Sequence, residues 1–315
     1  MTAPLLALRD VSRHFHTQAG VVRALDRVSL AIAPGETLGL VGESGCGKST
    51  VARVAMRLTD VDEGEVRVDG KDIASTYGRA LQAVRPRVQM VFQDPAASLN
   101  PRATIGQTLE APLIVHRRGN AADRQSRVAD MLRSVGLHPD MASRHAHELS
   151  GGQRQRVAIA RALMLDPALI VCDEAVSALD VSVRAQVLNL LLDLRETFGI
   201  AYLFISHDLP VVRHMSDSIA VMYMGQIVEL GPRDAVWHHT LHPYTRALMA
   251  AAPSAHPANR RLPRISMEGE QPSPLDPPPG CRFHTRCPQA TELCRSSEPA
   301  LRLHGTDHWV RCHLA

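Results

Sequence analysis

Three short groups of residues in this chain have the types and spacing to do chemistry on a phosphate chain. The first is "GESGCGKST", Gly42, Glu43, Ser44, Gly45, Cys46, Gly47, Lys48, Ser49 and Thr50, which satisfies GxxxxGK[ST] after an apolar run. Glycines there let backbone amides converge on a β-phosphate without Cβ clashes, and a helix beginning near Lys48 adds its positive dipole end. The lysine then reaches the β- and γ-phosphates while the Ser49 hydroxyl ligates Mg²⁺. The second group is a set of polar residues closing apolar runs: Gln93 after "VQMVF", Asp173 and Glu174 after "ALIVC", and His207 in "FISHD". An aspartate so placed can hold Mg²⁺ through water, the adjacent glutamate can polarise an attacking water, and the histidine can hydrogen-bond a γ-phosphate. Each has an ordinary reading too, a solvated strand end or a structural imidazole. Their shared position at the carboxyl edge of a parallel sheet that carries a phosphate loop favours one nucleotide site.

The third group is "LSGGQRQR". Ser150 is a good N-cap, Gly151 and Gly152 expose amides at a helix start, and Gln153 follows them. The chain thus holds a second anion-binding helix start about a hundred residues after the first.

The elements that must position these groups alternate between strand and helix from about residue 5 to 252. "GETLGLVG" (35–42) reads as a buried strand entering the phosphate loop, "EVRVDGKDI" (65–73) as a hairpin turning at Asp69-Gly70, and "VQMVFQD" (88–94) as another strand. Residues 121–136 place Val128, Met131, Leu132 and Val135 on one helical face. "ALIVCDE" and "AYLFISHD" are short apolar runs expected of strands covered on both faces, and residues 182–199 between them read as a helix ending near Gly199. The order argues for an α/β domain with a mostly parallel central sheet. After Pro253 the composition changes; "PSPLDPPPG" (272–280) has five prolines in nine residues, and the tail carries four of the six cysteines.

Composition narrows the partners. Apolar residues make up 45% and charged residues 21%, a globular balance, and the net charge of +3 with 3% aromatic residues argues against a nucleic-acid surface. No apolar run approaches the length needed to cross a bilayer, and "MTAPLLALRD" lacks the basic region of a secretory signal, so a cytosolic setting without stable disulfides is expected.

Taken in order, "GESGCGKST", "VFQDP", "LSGGQRQR", "VCDEAVSALD" and "FISHD" resemble the ATPase subunits of ABC transporters, with "LSGGQ" the discriminating motif. The resemblance implies a P-loop ABC cassette over 5–252, with a mixed central sheet, an antiparallel β subdomain and an α-helical signature subdomain at about 95–160. It implies that each ATP is sandwiched between the Lys48 loop of one subunit and the Ser150 loop of another. By the same resemblance Phe15 stacks on adenine, although a strand-edge core aromatic remains open. Gln93 touches Mg²⁺, Asp173 holds the metal, Glu174 acts as base, His207 stabilises the γ-phosphate and Asp180 lines the dimer contact. One position departs from the family: the residue after the glutamate, commonly proline, is Ala175.

The flanking text "HHTLHPYTRALMAAAP", "GEQPSPLDPPPGC" and the cysteine tail look like the dipeptide and oligopeptide importers, closest to the F-type partner of the usual D/F pair. This implies an ATPase driving peptide import, joined to a paralogous ATPase in a heterodimer and to two integral-membrane permeases. It also implies an indirect link to an extracytoplasmic binding protein and a peripheral place on the cytoplasmic face of the inner membrane. A nickel or other solute importer of the same architecture is the alternative cargo. A soluble ABC ATPase acting on nucleic acid is disfavoured because no second cassette or coiled-coil insertion is present. Cys281, Cys287, Cys294 and Cys312, with gaps of five, six and seventeen residues, lack the tight pairs of structural zinc. They fit a four-cysteine cluster better, and the resemblance implies [4Fe–4S]; zinc or free thiols remain open. Cys46 contributes its amide to the loop, and Cys172 reads as a small apolar filler.

Overall fold

The computed structural model describes residues 3–251 and 269–315, so the composition break expected at Pro253 lies outside the described residues. The chain forms two compact units, one from residues up to 32, 36–75 and 204 onward, the other from 33–35 and 76–203.

The first unit begins with β1 (Leu6–Thr17) and β2 (Gly20–Ile32), antiparallel from Leu6↔Ile32 to Thr17↔Gly20. The wholly buried β3 (Thr37–Val41) leads through the phosphate loop into α1 (Lys48–Ala55), which buries Val51, Ala52, Val54 and Ala55. β4 (Glu63–Val68) pairs with the other edge of β1, and β5 (Lys71–Asp72) follows, giving an antiparallel sheet in the order β2-β1-β4-β5. Asp69 and Gly70 both have positive φ, 49° and 75°, the backbone of a primed hairpin turn where the sequence predicts one.

The second unit runs through α2 (Gly78–Val84), β6 (Val88–Val91), α3 (Pro95–Ser98), α4 (Ile105–Val115), α5 (Ala121–Ser134), α6 (Gly151–Leu163), β7 (Leu169–Asp173) and α7 (Val181–Phe198). β8 (Ala201–Ile205) starts here, with its last two residues counted in the first unit. β6 and β7 are parallel from Val88↔Leu169 to Val91↔Cys172, and Ala201 N–H donates to the Ala168 carbonyl at 2.9 Å as β8 begins. Three helices start with reciprocal capping boxes, Thr104 with Gln107, Asn120 with Asp123 and Ser150 with Gln153, so their first amides are satisfied by local sequence. α7 stops at Gly199 in the left-handed region, φ 65°, as its sequence predicts.

Strand lengths differ from the sequence reading in one respect that matters for chemistry. The run expected to be strand over 88–94 pairs only to Val91, because Asp94 accepts from Ala97 N–H and Pro95 opens α3. Gln93 therefore lies past the ladder. Glu174 and His207 likewise stand one and two residues beyond β7 and β8.

The first unit resumes with α8 (Leu209–Met215), β9 (Ser218–Tyr223), β10 (Gln226–Pro232), α9 (Arg233–His238) and α10 (Pro243–Ala251). The described tail supplies α11 (Glu292–Ser296), β11 (Arg302–His304) and β12 (His308–Val310). β9 lies parallel to β3, whereas β10 is antiparallel to β9, so the sheet is mixed as the resemblance implies. The tail extends it: β12 pairs with β10 at Glu229↔Val310 and Leu230↔Trp309, and β11 adds beyond β12.

Charge pairs and rings hold this tail down. Arg282 donates to the Met224 carbonyl and to the Asp26 carboxylate, and Glu298 accepts from Arg27 at 2.6 Å, Gln226 at 2.9 Å and Arg311 at 3.0 Å. Phe283 packs its ring against Tyr223 and Tyr244 with centroids 5.3 and 5.4 Å apart. Beneath them Glu229 is fully buried, accepting from Leu241 N–H at 2.8 Å and His242 N–H at 3.0 Å, with His308 Nε2 at 2.8 Å. Burial pushes the His242 imidazole down to about 4, so it stays neutral across the physiological range.

Glu229→Leu leaves two amides and a ring nitrogen in a dry interior without their acceptor. The expected loss is about 3–5 kcal/mol of stability, the scale of breaking a buried charged network, read from the urea unfolding midpoint. An unchanged midpoint would show that the carboxylate does not tie tail to sheet.

Candidate nucleotide site

The phosphate loop is shaped by glycines whose side-chain hydrogens point at backbone. Gly42 has φ 155°, and a Cβ there would lie 2.2 Å from the Met222 carbonyl oxygen. At Gly47, φ 111°, it would lie 2.4 Å from the Ala24 oxygen. The Cys46 carbonyl accepts from Gly225 N–H at 2.8 Å, and Gly225 in turn accepts from Asp26 N–H. The loop is therefore pinned to the β9–β10 turn and to β2 by close backbone approach, which only glycine permits.

Lys48 is 6% exposed and donates Nζ to the carbonyls of Gly42 at 2.8 Å and Glu43 at 2.9 Å. It thus reaches back across its own loop to the residues that open it. Ser44, Gly45 and Ser49 face solvent at the rim, with Thr50 half-buried in the first turn of α1. The Cys46 thiol is pushed up by burial, against the pull of Lys48, which makes it an inert filler. His207 is exposed after β8. Phe15 is half-buried on β1 opposite Val22, with the Arg13 guanidinium 5.0 Å from its ring centroid.

Sequence reasoning missed two residues that touch this loop. The Tyr244 hydroxyl accepts from Glu43 N–H at 2.9 Å, and Arg286 grips the Glu43 carboxylate with both terminal nitrogens, at 2.9 and 3.1 Å. That fork raises the Arg286 pKa still further, and burial raises that of Tyr244. No local pattern joins positions 201 and 243 residues apart. The only available signal was an arginine in a tail rich in prolines and cysteines.

In the second unit Gln93 Nε2 donates to Glu174 Oε2 at 3.1 Å, so two of the predicted polar strand ends meet. Glu174 has φ 49°, an uncommon conformation for a non-glycine residue and one that marks functional positions. Its carbonyl is fixed by Ser177, through N–H at 3.1 Å and Oγ at 2.9 Å. Asp173 is buried at the end of β7, and Asp180 stands exposed as the N-cap of α7 beside Val181, whose side is open to solvent.

At the second helix start Ser150 Oγ accepts from Gln153 N–H at 3.3 Å while Gln153 Oε1 accepts from Ser150 N–H at 3.0 Å. Gly151 has open space around it; a Cβ on Gly152 would strike Val183 Cγ1 at 2.5 Å. The basic run that follows is structural: Arg154, Arg156 and Arg161 donate to the carbonyls of Leu149, Val135 and Ser98 at 2.6–2.9 Å. These guanidinium groups are thus committed to main-chain carbonyls.

The six cysteines are free thiols. In the tail, burial pushes Cys281 up to about 11, and the nearby Cys294, Cys312 and Cys287 add to that rise. Among the described residues no three His, Cys, Asp or Glu side chains converge as a metal site. No helix among them is long and apolar enough to cross a membrane.

Comparison with known proteins covers both parts of the chain. The family model "ABC transporter" matches residues 25–177, and "Oligopeptide/dipeptide transporter, C-terminal region" matches 228–294. The probable peptide ABC transporter ATP-binding protein y4tS of Sinorhizobium fredii is 53% identical over 100% of this chain and 91% of its own length. The oligopeptide transport ATP-binding protein AppF of Bacillus subtilis is 48% identical, covering 98% of this chain and 97% of its own. The di/tripeptide transport ATP-binding protein DppF of Pseudomonas aeruginosa is also 48% identical, over 99% and 98%. Among solved structures, the dimeric ATP-binding cassette MJ0796 in a post-hydrolysis state with ADP and Pi has a TM-score of 0.67 and 31% identity. It covers 72% of this chain and 98% of that one.

Gly47→Ala forces a Cβ onto the Ala24 carbonyl at a strained φ. The chain is expected to lose about 1–3 kcal/mol of stability and more than tenfold in nucleotide affinity, read by thermal melting and nucleotide titration. Unaltered affinity would show that the loop does not depend on this approach.

Proposed function

The chain belongs to the ATP-binding subunits of ABC transporters, in the oligopeptide and dipeptide branch, and on that premise we propose how its residues serve ATP-driven peptide import. The observation that carries the reading is the match of peptide-transport ATP-binding subunits along essentially the whole length, at 48–53% identity. As a member it hydrolyses ATP. The division of labour below is our assignment.

Gly42 to Thr50 receive the β- and γ-phosphates, with Lys48 leaving its carbonyl partners for phosphate oxygens. Phe15 offers its ring to adenine. Mg²⁺, when bound, would supply neutralisation of the phosphate charge. Ser49, Gln93 and Asp173 suit it as hard oxygen donors; because Gln93 Nε2 donates to Glu174, its carbonyl oxygen is the atom left for a cation. Glu174 accepts the proton of the attacking water, and His207 donates to the γ-phosphate. Ala175 in place of the family's usual proline restores an amide beside Glu174, whose conformation is held instead by Ser177.

Leu149, Ser150, Gly151, Gly152 and Gln153 meet the γ-phosphate held by a second ATPase subunit, and Asp180 lines that contact. The partner is a paralogue, giving a heterodimer on two permease subunits at the cytoplasmic face of the inner membrane, with an extracytoplasmic peptide-binding protein on the far side. Support comes from the dimeric cassette of similar fold and from the two phosphate grips of one chain. Residues 5–252 form the cassette, with its helical subdomain at about 95–160, and 253–315 the extension.

Cys281, Cys287, Cys294 and Cys312 would be the thiolates that hold a [4Fe–4S] centre in that extension, drawing together on binding it, since they do not converge as a metal site here. The all-thiol donor set supports this, and because burial raises the pKa of Cys281 and of Cys287, binding there would release protons.

Glu174→Gln removes the base but keeps the shape. Turnover is expected to fall by about 10²–10⁴, with an ATP-stabilised dimer accumulating on gel filtration. Normal steady-state hydrolysis in this variant would overturn the role of Glu174. Anaerobically purified full-length protein is expected to be brown, with four irons per chain, and Cys287→Ser to lose that colour. Iron-free protein after anaerobic handling would end the cluster assignment.

A further inference from the structure

We propose that Arg286 is a positioning residue for ATP binding: from the C-terminal extension it neutralises Glu43 and so keeps the phosphate loop receptive to a polyanion. The inference rests on the reading of residues 42–50 as the ATP phosphate site.

Every hydrogen-bonding group of Glu43 is engaged. Its N–H donates to the Tyr244 hydroxyl, its carbonyl accepts from Lys48 Nζ, and its carboxylate receives the Arg286 fork. Two of these three partners come from the C-terminal part of the first unit. The fork is bidentate and sheltered; Arg286 is 9% exposed and lies over the Tyr223 ring, 6.0 Å from its centroid. Tyr223 and Tyr244 are themselves packed on Phe283, three residues before Arg286.

The charge arithmetic explains why such a clamp matters. The loop converges its amides and one ammonium on phosphates, yet its second residue carries a full negative charge. An unpaired carboxylate there opposes a triphosphate in a partly desolvated place, where screening by water is weak. A bidentate guanidinium cancels that charge and fixes the side chain away from the hollow in a way that a mobile lysine would not.

The test uses the full-length chain, a fluorescent ATP analogue titrated in the presence of Mg²⁺, and steady-state hydrolysis in the assembled transporter. Arg286→Ala is expected to weaken binding and raise KM for ATP about tenfold, with kcat within about twofold, and the effect should shrink as salt is raised. Adding Glu43→Gln to Arg286→Ala is expected to restore most of the affinity, because the harm lies in the unpaired charge. Arg286→Lys, which keeps the charge and serves if the alanine variant folds poorly, is expected to stay within about threefold of the parent. Unchanged affinity in Arg286→Ala would overturn the proposal. So would a loss that Glu43→Gln fails to relieve, which would mark a purely structural role. A parent chain that binds no nucleotide would instead overturn the site assignment itself.

Discussion

Gly42 and Gly47 approach the carbonyls of Met222 and Ala24 more closely than any side-chain-bearing residue could, and the chemistry of the first unit depends on that approach. Backbone amides converge on a phosphate best when the loop cannot relax, and here the nearest atoms facing Gly42 and Gly47 are peptide oxygens, which yield less than the side chains also packed there. The β9–β10 turn serves as the anvil: Gly225 donates to Cys46 and accepts from Asp26, linking loop, turn and β2 through main-chain bonds. Lys48 completes the hollow from inside by bonding two loop carbonyls.

The C-terminal extension is bound to the same support. It adds β12 and β11 to the edge of β10, so an edge that would otherwise expose unpaired amides is closed within the chain. Arg282 reaches the Met224 carbonyl at that turn and Asp26 on β2, and Arg286 reaches Glu43 in the loop itself. The fully buried Glu229 lies under this junction, accepting from the backbone before α10 and touching His308 of β12. The tail is therefore tied by charge to the sheet edge, to β2 and to the loop at separate points.

Much of this was legible in the sequence because local rules set it. The phosphate loop announces itself by glycine spacing after a strand; Ser150 and Gly199 mark helix ends by chemistry that acts over three or four residues. The Asp69-Gly70 turn needs positive φ and has the residues that tolerate it. What sequence alone could not supply were contacts between distant positions. Arg286 and Tyr244 look like ordinary residues until the fold brings them to Glu43. Nor could it show that Arg154, Arg156 and Arg161 serve carbonyls, because a basic run reads the same whether it faces an anion or a neighbouring loop. Strand ends were overestimated at Gln93 and Glu174 for a related reason: hydrophobicity runs on after the ladder stops, and only the pairing partner decides where it stops.

Ser150 raises an objection to its proposed role, since its hydroxyl oxygen is already committed to the capping box. The objection fails on donor and acceptor counting. A serine hydroxyl has one proton to give and two lone pairs to receive, and the cap consumes a lone pair, leaving the proton for an anionic oxygen. The cap also fixes the direction in which that proton can point, by holding Oγ against the Gln153 amide. Gln153 works in the same sense: its side-chain oxygen is tied to Ser150 N–H, which keeps the first turn wound with Gly151 unobstructed. A loop organised in this way before any phosphate arrives loses little conformational entropy on meeting one, and that is the property a grip on another subunit's nucleotide requires.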